Sequence, residues 1–139
     1  AIARNLAVMS SLKTKILVVV SGEGGSGGAL ALGVGDHVAI LEYGTYSVAS
    51  PEACASIVWR ESDKAPEAAE AMKVGASDLK RIGIVDEIIV EPIGGAHQDY
   101  DMISASIKSS LLTNLAELSK FSQEELLQRR YQRLLKIGA

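Results

Sequence analysis

The most uniform apolar stretch in the chain is Ile16-Leu17-Val18-Val19-Val20, and the elements before and after it follow from the rhythm around it. Five consecutive aliphatic residues are the pattern of a strand buried within a parallel sheet. Gly22 to Gly28 then carries five glycines in seven residues, and Ala29-Leu30-Ala31-Leu32 returns to strong helix formers. The predicted layout is strand, tight glycine turn, then a helix to about Val34, with Gly35 as its left-handed terminator. His37 to Tyr43 reads as the next strand, so close to the helix that a βαβ crossover is expected. Upstream, Ile2, Leu6, Met9 and Leu12 mark an amphipathic helix over residues 2–12, and Lys13-Thr14-Lys15 is a polar connection.

Downstream of Gly44-Thr45, Tyr46-Ser47-Val48-Ala49 is a short extended piece. Ser50-Pro51-Glu52 starts a helix: Ser50 can cap it, Pro51 suits the first turn, and Glu52 favours the positive end of the dipole. Pro66 opens an Ala/Glu-rich helix to about Val74, which Gly75 breaks. Ser77-Asp78 cap a shorter helix ending at Gly83, and Val85 to Val90 is the last strand. Glu91 to Asp99 is a structured loop. From Tyr100 the rhythm becomes purely helical. Ile103, Ile107, Leu111, Leu115 and Leu118 form one stripe, Ser122 and Glu125 a capping box, and Leu127, Tyr131 and Leu134 the face of a second helix. Arg129, Arg130, Arg133 and Lys136 sit where the dipole favours cations. No strand follows this pair, so it reads as a lid or an assembly arm.

Glycine gives up more backbone freedom on folding than any other residue, so this cluster requires a geometric cause. At a helix start, the N–H groups of Gly27, Gly28 and Ala29 lack intrahelical acceptors, and the dipole adds partial positive charge. Bare backbone there admits a ligand oxygen, as a phosphate cradle or an oxyanion hole. The phosphate-loop signature requires Lys and then Ser or Thr after the last glycine, but Ala29-Leu30 follows Gly28. Gly22-Glu23-Gly24-Gly25-Ser26-Gly27 fits the dinucleotide fingerprint only loosely, with Glu42 as the sole acidic candidate for a ribose. Gly24-Gly25-Ser26-Gly27-Gly28 matches the G-x-S-x-G nucleophile elbow, and Asp86 and His97 follow in hydrolase order. The bland alternative is a glycine turn packed tightly under a neighbouring strand. Asp86 and Glu87, adjacent on a strand, face opposite sides and read as surface or partner-facing. His37 reads as structural, and Cys54 as a small buried residue rather than a nucleophile.

The 139 residues suffice for one compact domain, and an apolar content of 47% supports a core at this size. With aromatics at 4%, that core is mostly Ala, Val, Ile and Leu. A net charge of −3 and no basic patch interleaved with aromatics argue against nucleic acid as a partner. No apolar run is long enough to span a bilayer, and the N-terminal residues do not read as a signal peptide. The one cysteine, Cys54, excludes an internal disulfide and fits a reducing compartment. No Cys/His spacing suggests a metal site. The chain starts within a helical pattern and without Met, which suggests a portion of something longer.

Several runs together are specific. Gly22 to Ala31, Tyr46-Ser47-Val48, Ser50-Pro51-Glu52, Cys54-Ala55-Ser56-Ile57, Lys64-Ala65-Pro66, Glu91 to His97 and Arg129 to Leu134 closely resemble the carboxyltransferase α subunit of the multisubunit acetyl-CoA carboxylase of bacteria and plastids. The resemblance covers essentially the whole chain and the C-terminal half of that subunit. Ala53, where the family usually carries Gly, is a departure. The resemblance implies an α/β, crotonase-like spiral of ββα units with a C-terminal helical extension. Residues 1–98 would then be a partial carboxyltransferase core and residues 99–139 a helical pair for assembly.

It further implies transfer of the carboxyl group from carboxybiotin, on the biotin carboxyl carrier protein, to acetyl-CoA, giving malonyl-CoA for fatty acid synthesis. The implied partner is a β subunit in an α2β2 assembly, in the bacterial cytoplasm or plastid stroma, with no metal in this subunit. The Gly27 and Gly28 N–H groups would form the oxyanion hole, with Gly24, Gly25, Ser26 and Ala29 around the carboxybiotin. The alternatives are a serine hydrolase built on Ser26, Asp86 and His97, and a non-catalytic assembly module.

Overall fold

The computed structural model describes residues 1–137, so the last two residues of the expected 99–139 helical pair lie outside the described residues. Three parallel strands, β1 (Leu17–Val20), β3 (His37–Leu41) and β5 (Glu87–Ile89), form a sheet in the order β1-β3-β5. The parallel pairing of β1 with β3 across an intervening helix is the expected crossover. β3 is central, and four of its five residues are buried. β1 is only half-buried along its length, because it lies at the edge of this sheet rather than inside it.

Alternation along β3 feeds two cores. Val38 and Ile40 pack with Ala76, Leu79 and Val85 on one face, and Ala39 and Leu41 pack with Ile89 and Ile103 on the other. The first face is covered by α5 (Ala76–Arg81), which starts after Gly75, slightly earlier than the Ser77 cap predicts. The second is covered by α6 (Tyr100–Leu118), capped by the Asp99 carboxylate on the Met102 N–H. Further helices are α1 (Ile2–Ser11), α3 (Pro51–Trp59), α4 (Ala65–Met72) and α7 (Gln123–Leu135). Ser50 caps α3 and the Ser122/Glu125 box caps α7, both as the sequence predicts. α1 has its predicted span to within a residue, but none of its residues is buried.

The glycine turn is not wholly a turn. Glu23–Gly25 forms a second short strand, β2, paired in parallel with β4 (Thr45–Ser47), and Gly24 stands opposite Tyr46. α2 (Ser26–Leu32) begins directly after it and ends at Gly33, short of the predicted Val34. Gly35 is not a left-handed terminator. A Cβ there would stand 2.9 Å from the Val18 side chain and 3.2 Å from the Ile16 carbonyl, so its bareness serves close approach to β1.

α7 does not present the face that apolar spacing indicates. Tyr131 is exposed, and Leu126 and Arg130 are the buried residues. The Arg130 guanidinium donates to both carboxylate oxygens of Asp36, at 2.9 and 2.8 Å. It also donates to the carbonyls of Met9, Leu12 and Thr14 at 3.0, 2.9 and 2.7 Å, which fastens α7 to the connection between α1 and β1.

Candidate functional site

The glycines around α2 divide into two groups by what surrounds them. A Cβ on Gly24 would stand 2.7 Å from the Tyr46 ring, and one on Gly33 would collide with the Tyr46 hydroxyl. These two are bare because Tyr46 occupies the space. At Gly25 and Gly28 a Cβ would meet nothing within 4 Å, and at Gly27 it would make only ordinary contact, 3.7 Å, with Ile2. The tightly packed turn therefore describes Gly24 and not Gly25, Gly27 or Gly28. In the first turn of a helix a residue with nothing to avoid would ordinarily be Ala, which is favoured over Gly by about 1 kcal/mol in a helix interior.

The N-cap is Gly25, in extended conformation and with no side-chain cap. The unpaired donors of a helix are those of its N-cap and first three residues. With Gly25 as N-cap that set is Gly25, Ser26, Gly27 and Gly28, so the Ala29 N–H falls outside it. Among the described residues nothing accepts from the Gly27 or Gly28 N–H outside the helix itself. Gly28 is exposed and Gly27 half-buried. Ala29 contributes instead through its carbonyl, which receives the Gly33 N–H at 2.8 Å and the Tyr46 hydroxyl at 3.0 Å.

Ser26 is exposed and held at φ 57°, in the left-handed region, at the junction of β2 and α2. This is the strained strand-to-helix geometry of a nucleophile elbow, but its partners are elsewhere. The Asp86 carboxylate accepts from the Val38 N–H at 2.8 Å and pairs with Arg133 at 3.0 Å. That places it at the entry end of the parallel strands, whereas Ser26 follows their exit. The His97 ring is exposed and its Nε2 meets the Gln98 side chain at 2.9 Å. The serine-hydrolase triad is thus not assembled.

Asp86 and Glu87 are not idle surface acids. Oε2 of Glu87 meets His37 at 2.9 Å and accepts from Ser110 at 2.7 Å and Asn114 at 3.0 Å. Burial alone would push the Glu87 carboxyl up, but these hydrogen bonds, with the His37 ring, outweigh it and hold the group below the usual carboxylate range. His37 is structural, as expected. Glu42 accepts from the Glu91 N–H at 3.2 Å, a role within the loop rather than at a ribose. Glu91, buried, braces its own loop by accepting from Tyr43 and Ala96, both at 2.7 Å. Sequence reasoning overlooked Tyr46, Arg130 and Glu91. Arg130 had a legible signal, since it interrupts the apolar spacing Leu126, Arg130, Leu134.

Among the described residues, no cluster of His, Cys, Asp and Glu could hold a metal ion. No helix there is long and apolar enough to cross a membrane.

Parallel strands joined by helical crossovers, with a glycine-lined helix start beside them, define a mixed α/β protein. The family described as acetyl co-enzyme A carboxylase carboxyltransferase-like matches residues 1–138, and the chain belongs to that family. Its relatives include proteins named acetyl-coenzyme A carboxylase carboxyl transferase subunit alpha. Those of Vibrio cholerae and Photobacterium profundum are each 59% identical over 138 residues, and that of Pseudoalteromonas atlantica is 56% identical. Each match covers 99% of this chain and 43% of the relative, so the chain spans less than half the length of these proteins.

Proposed function

We propose that this chain is part of a carboxyltransferase α subunit that moves the carboxyl group of carboxybiotin, presented on a biotin carboxyl carrier protein, to acetyl-CoA, giving malonyl-CoA. Membership of the family and the 56–59% identity to subunits of that name support it. In this reading the fold is a crotonase-like spiral of ββα units. Residues 1–98 contribute to the catalytic core, and residues 99–139 form a helical pair used in assembly with a β subunit in an α2β2 enzyme of the bacterial cytoplasm or plastid stroma.

The observation that carries the site is the bareness of Gly27 and Gly28. Among the described residues their N–H groups have no acceptor outside the helix itself, and the protein's own packing does not call for glycine at either position. When carboxybiotin gives up its carboxylate, negative charge gathers on the ureido oxygen. Fixed donors directed at that oxygen stabilise the charge, and loss of one such donor costs about 2.7–4 kcal/mol of barrier. Gly24, Gly25, Ser26 and Ala29 form the surrounding wall. No side-chain nucleophile is required, consistent with Ser26 having neither Asp86 nor His97 beside it.

Gly28→Ala in the full-length subunit tests this. The backbone keeps its donor, but a methyl group enters the space left for the ligand. The variant should fold with unchanged or slightly raised stability, by about 0.4–1 kcal/mol, while carboxyl transfer is lost. Gly27→Val and Gly28→Val should be inactive and folded. Full malonyl-CoA formation by Gly28→Ala or by either Val variant would refute the assignment.

A further inference from the structure

Tyr46 joins the strand pair β2–β4 to α2. Its N–H donates to the Val74 carbonyl at 3.1 Å, and its ring lies against Gly24. Its hydroxyl reaches over to the Ala29 carbonyl at 3.0 Å, beside Gly33. Two glycines that flank α2 in the chain are therefore vacated for one side chain. Burial pushes the phenol above its ordinary pKa of 10.0, against a smaller opposing effect of Arg133, so the hydroxyl remains a donor throughout the neutral range.

α2 packs against α1 and the β2–β4 pair, but little of it is buried and its ends are not held by side chains. It has seven residues, no side-chain cap, and one buried residue, Ala31. Leu30 and Leu32 are exposed. A helix this short can turn about its axis, and such a turn would swing the first N–H groups away from any fixed target. Ala29 directly follows Gly28, so a hydrogen bond to its carbonyl acts within one residue of the donors.

We propose that Tyr46 is a positioning residue for carboxyl transfer: its ring, seated between Gly24 and Gly33, and its hydroxyl, bonded to the Ala29 carbonyl, fix the rotation of α2 and so the direction of the Gly27 and Gly28 N–H groups. This rests on the reading of those groups as the oxyanion donors.

The test is a double-mutant cycle of Tyr46→Phe and Gly33→Ala in the full-length subunit, assembled into the active carboxyltransferase. Tyr46→Phe keeps the ring and removes the donor. A misplaced donor should lower kcat about 10- to 100-fold, with the KM for the acyl-CoA unchanged. Gly33→Ala should lower kcat similarly, because the new Cβ displaces the hydroxyl. Gly33 lies at φ −77°, where Ala is not strained, so the variant should fold. In the Tyr46→Phe background, Gly33→Ala should cost less than in the parent, since the hydroxyl it would displace is gone and the remaining ring and carbonyl contacts, at 3.1 Å, need give only slightly.

Wild-type kcat in Tyr46→Phe, additive losses in the double variant, or a loss that appears in KM rather than kcat would each overturn the proposal. Gly28→Ala, assayed alongside, separates the two levels. If it is inactive while Tyr46→Phe is fully active, only the role of Tyr46 fails. If it is fully active, the donor reading fails and the Tyr46 proposal falls with it.

Discussion

Arg130 is a cation with no exposed surface, and its planar fork is matched by the two oxygens of Asp36 and by a row of carbonyls from the end of α1 and the connection after it. The Asp36 side chain is itself buried and also accepts the Ile16 N–H at 2.8 Å. Removing one partner of such a pair strands the other, at a cost of about 3–5 kcal/mol. Arg130→Met and Asp36→Asn should each lower the urea midpoint of the protein accordingly. Arg130→Lys should recover only part of the loss, because an ammonium cannot span both oxygens. A midpoint unchanged in Arg130→Met would show that the pair adds nothing to stability. The sequence marks Arg130 as one of four cations near a helix C-terminus. Its place in the apolar spacing hints at burial, but its partner Asp36 lies nearly a hundred residues earlier, and no local pattern names that.

At the scale of elements, the β2–β4 pair distinguishes neighbouring glycines. Gly24 stands under the Tyr46 ring, and Gly25 faces open space. Gly24→Ala forces the ring to shift, and overpacking of this kind typically costs about 1–3 kcal/mol. Gly25→Ala meets nothing within 4 Å and should leave thermal stability close to that of the parent. Equal losses in the two variants would contradict the packing described for Tyr46. The helix ends are the most legible elements in this chain. Ser50 accepts from the Ala53 N–H, and Ser122 and Glu125 exchange hydrogen bonds, because these bonds close within three residues. β2 was not legible: three residues rich in glycine become a strand only because β4 lies alongside.

Across the whole molecule, Glu87 ties β5 to β3 through His37 and to α6 through Ser110 and Asn114. Its folded-state pKa is depressed below the ordinary 4.5. The sign follows from linkage: the stabilisation is complete above the unfolded-state value and is lost as pH falls through the lowered folded-state value. Stability measured by urea unfolding should therefore fall in acid below about pH 4.5. Glu87→Gln, which does not titrate there, should lose less over the same range. Parallel acid profiles for parent and variant would rule out Glu87 as a contributor.

The sequence by itself determined the parallel crossover β1–α2–β3, the caps of α3 and α7, the bare helix start at Gly27 and Gly28, and the family. Each of these depends on residues close together in the chain or on a motif read as a string. Only the tertiary structure decided which glycines are bare for packing and which for open space, that Asp86 is far from a serine-hydrolase role, and that Arg130 fastens α7 to the α1–β1 connection. Those outcomes are contacts between distant segments. A one-dimensional pattern records what a residue can do but not which neighbour the fold brings to it.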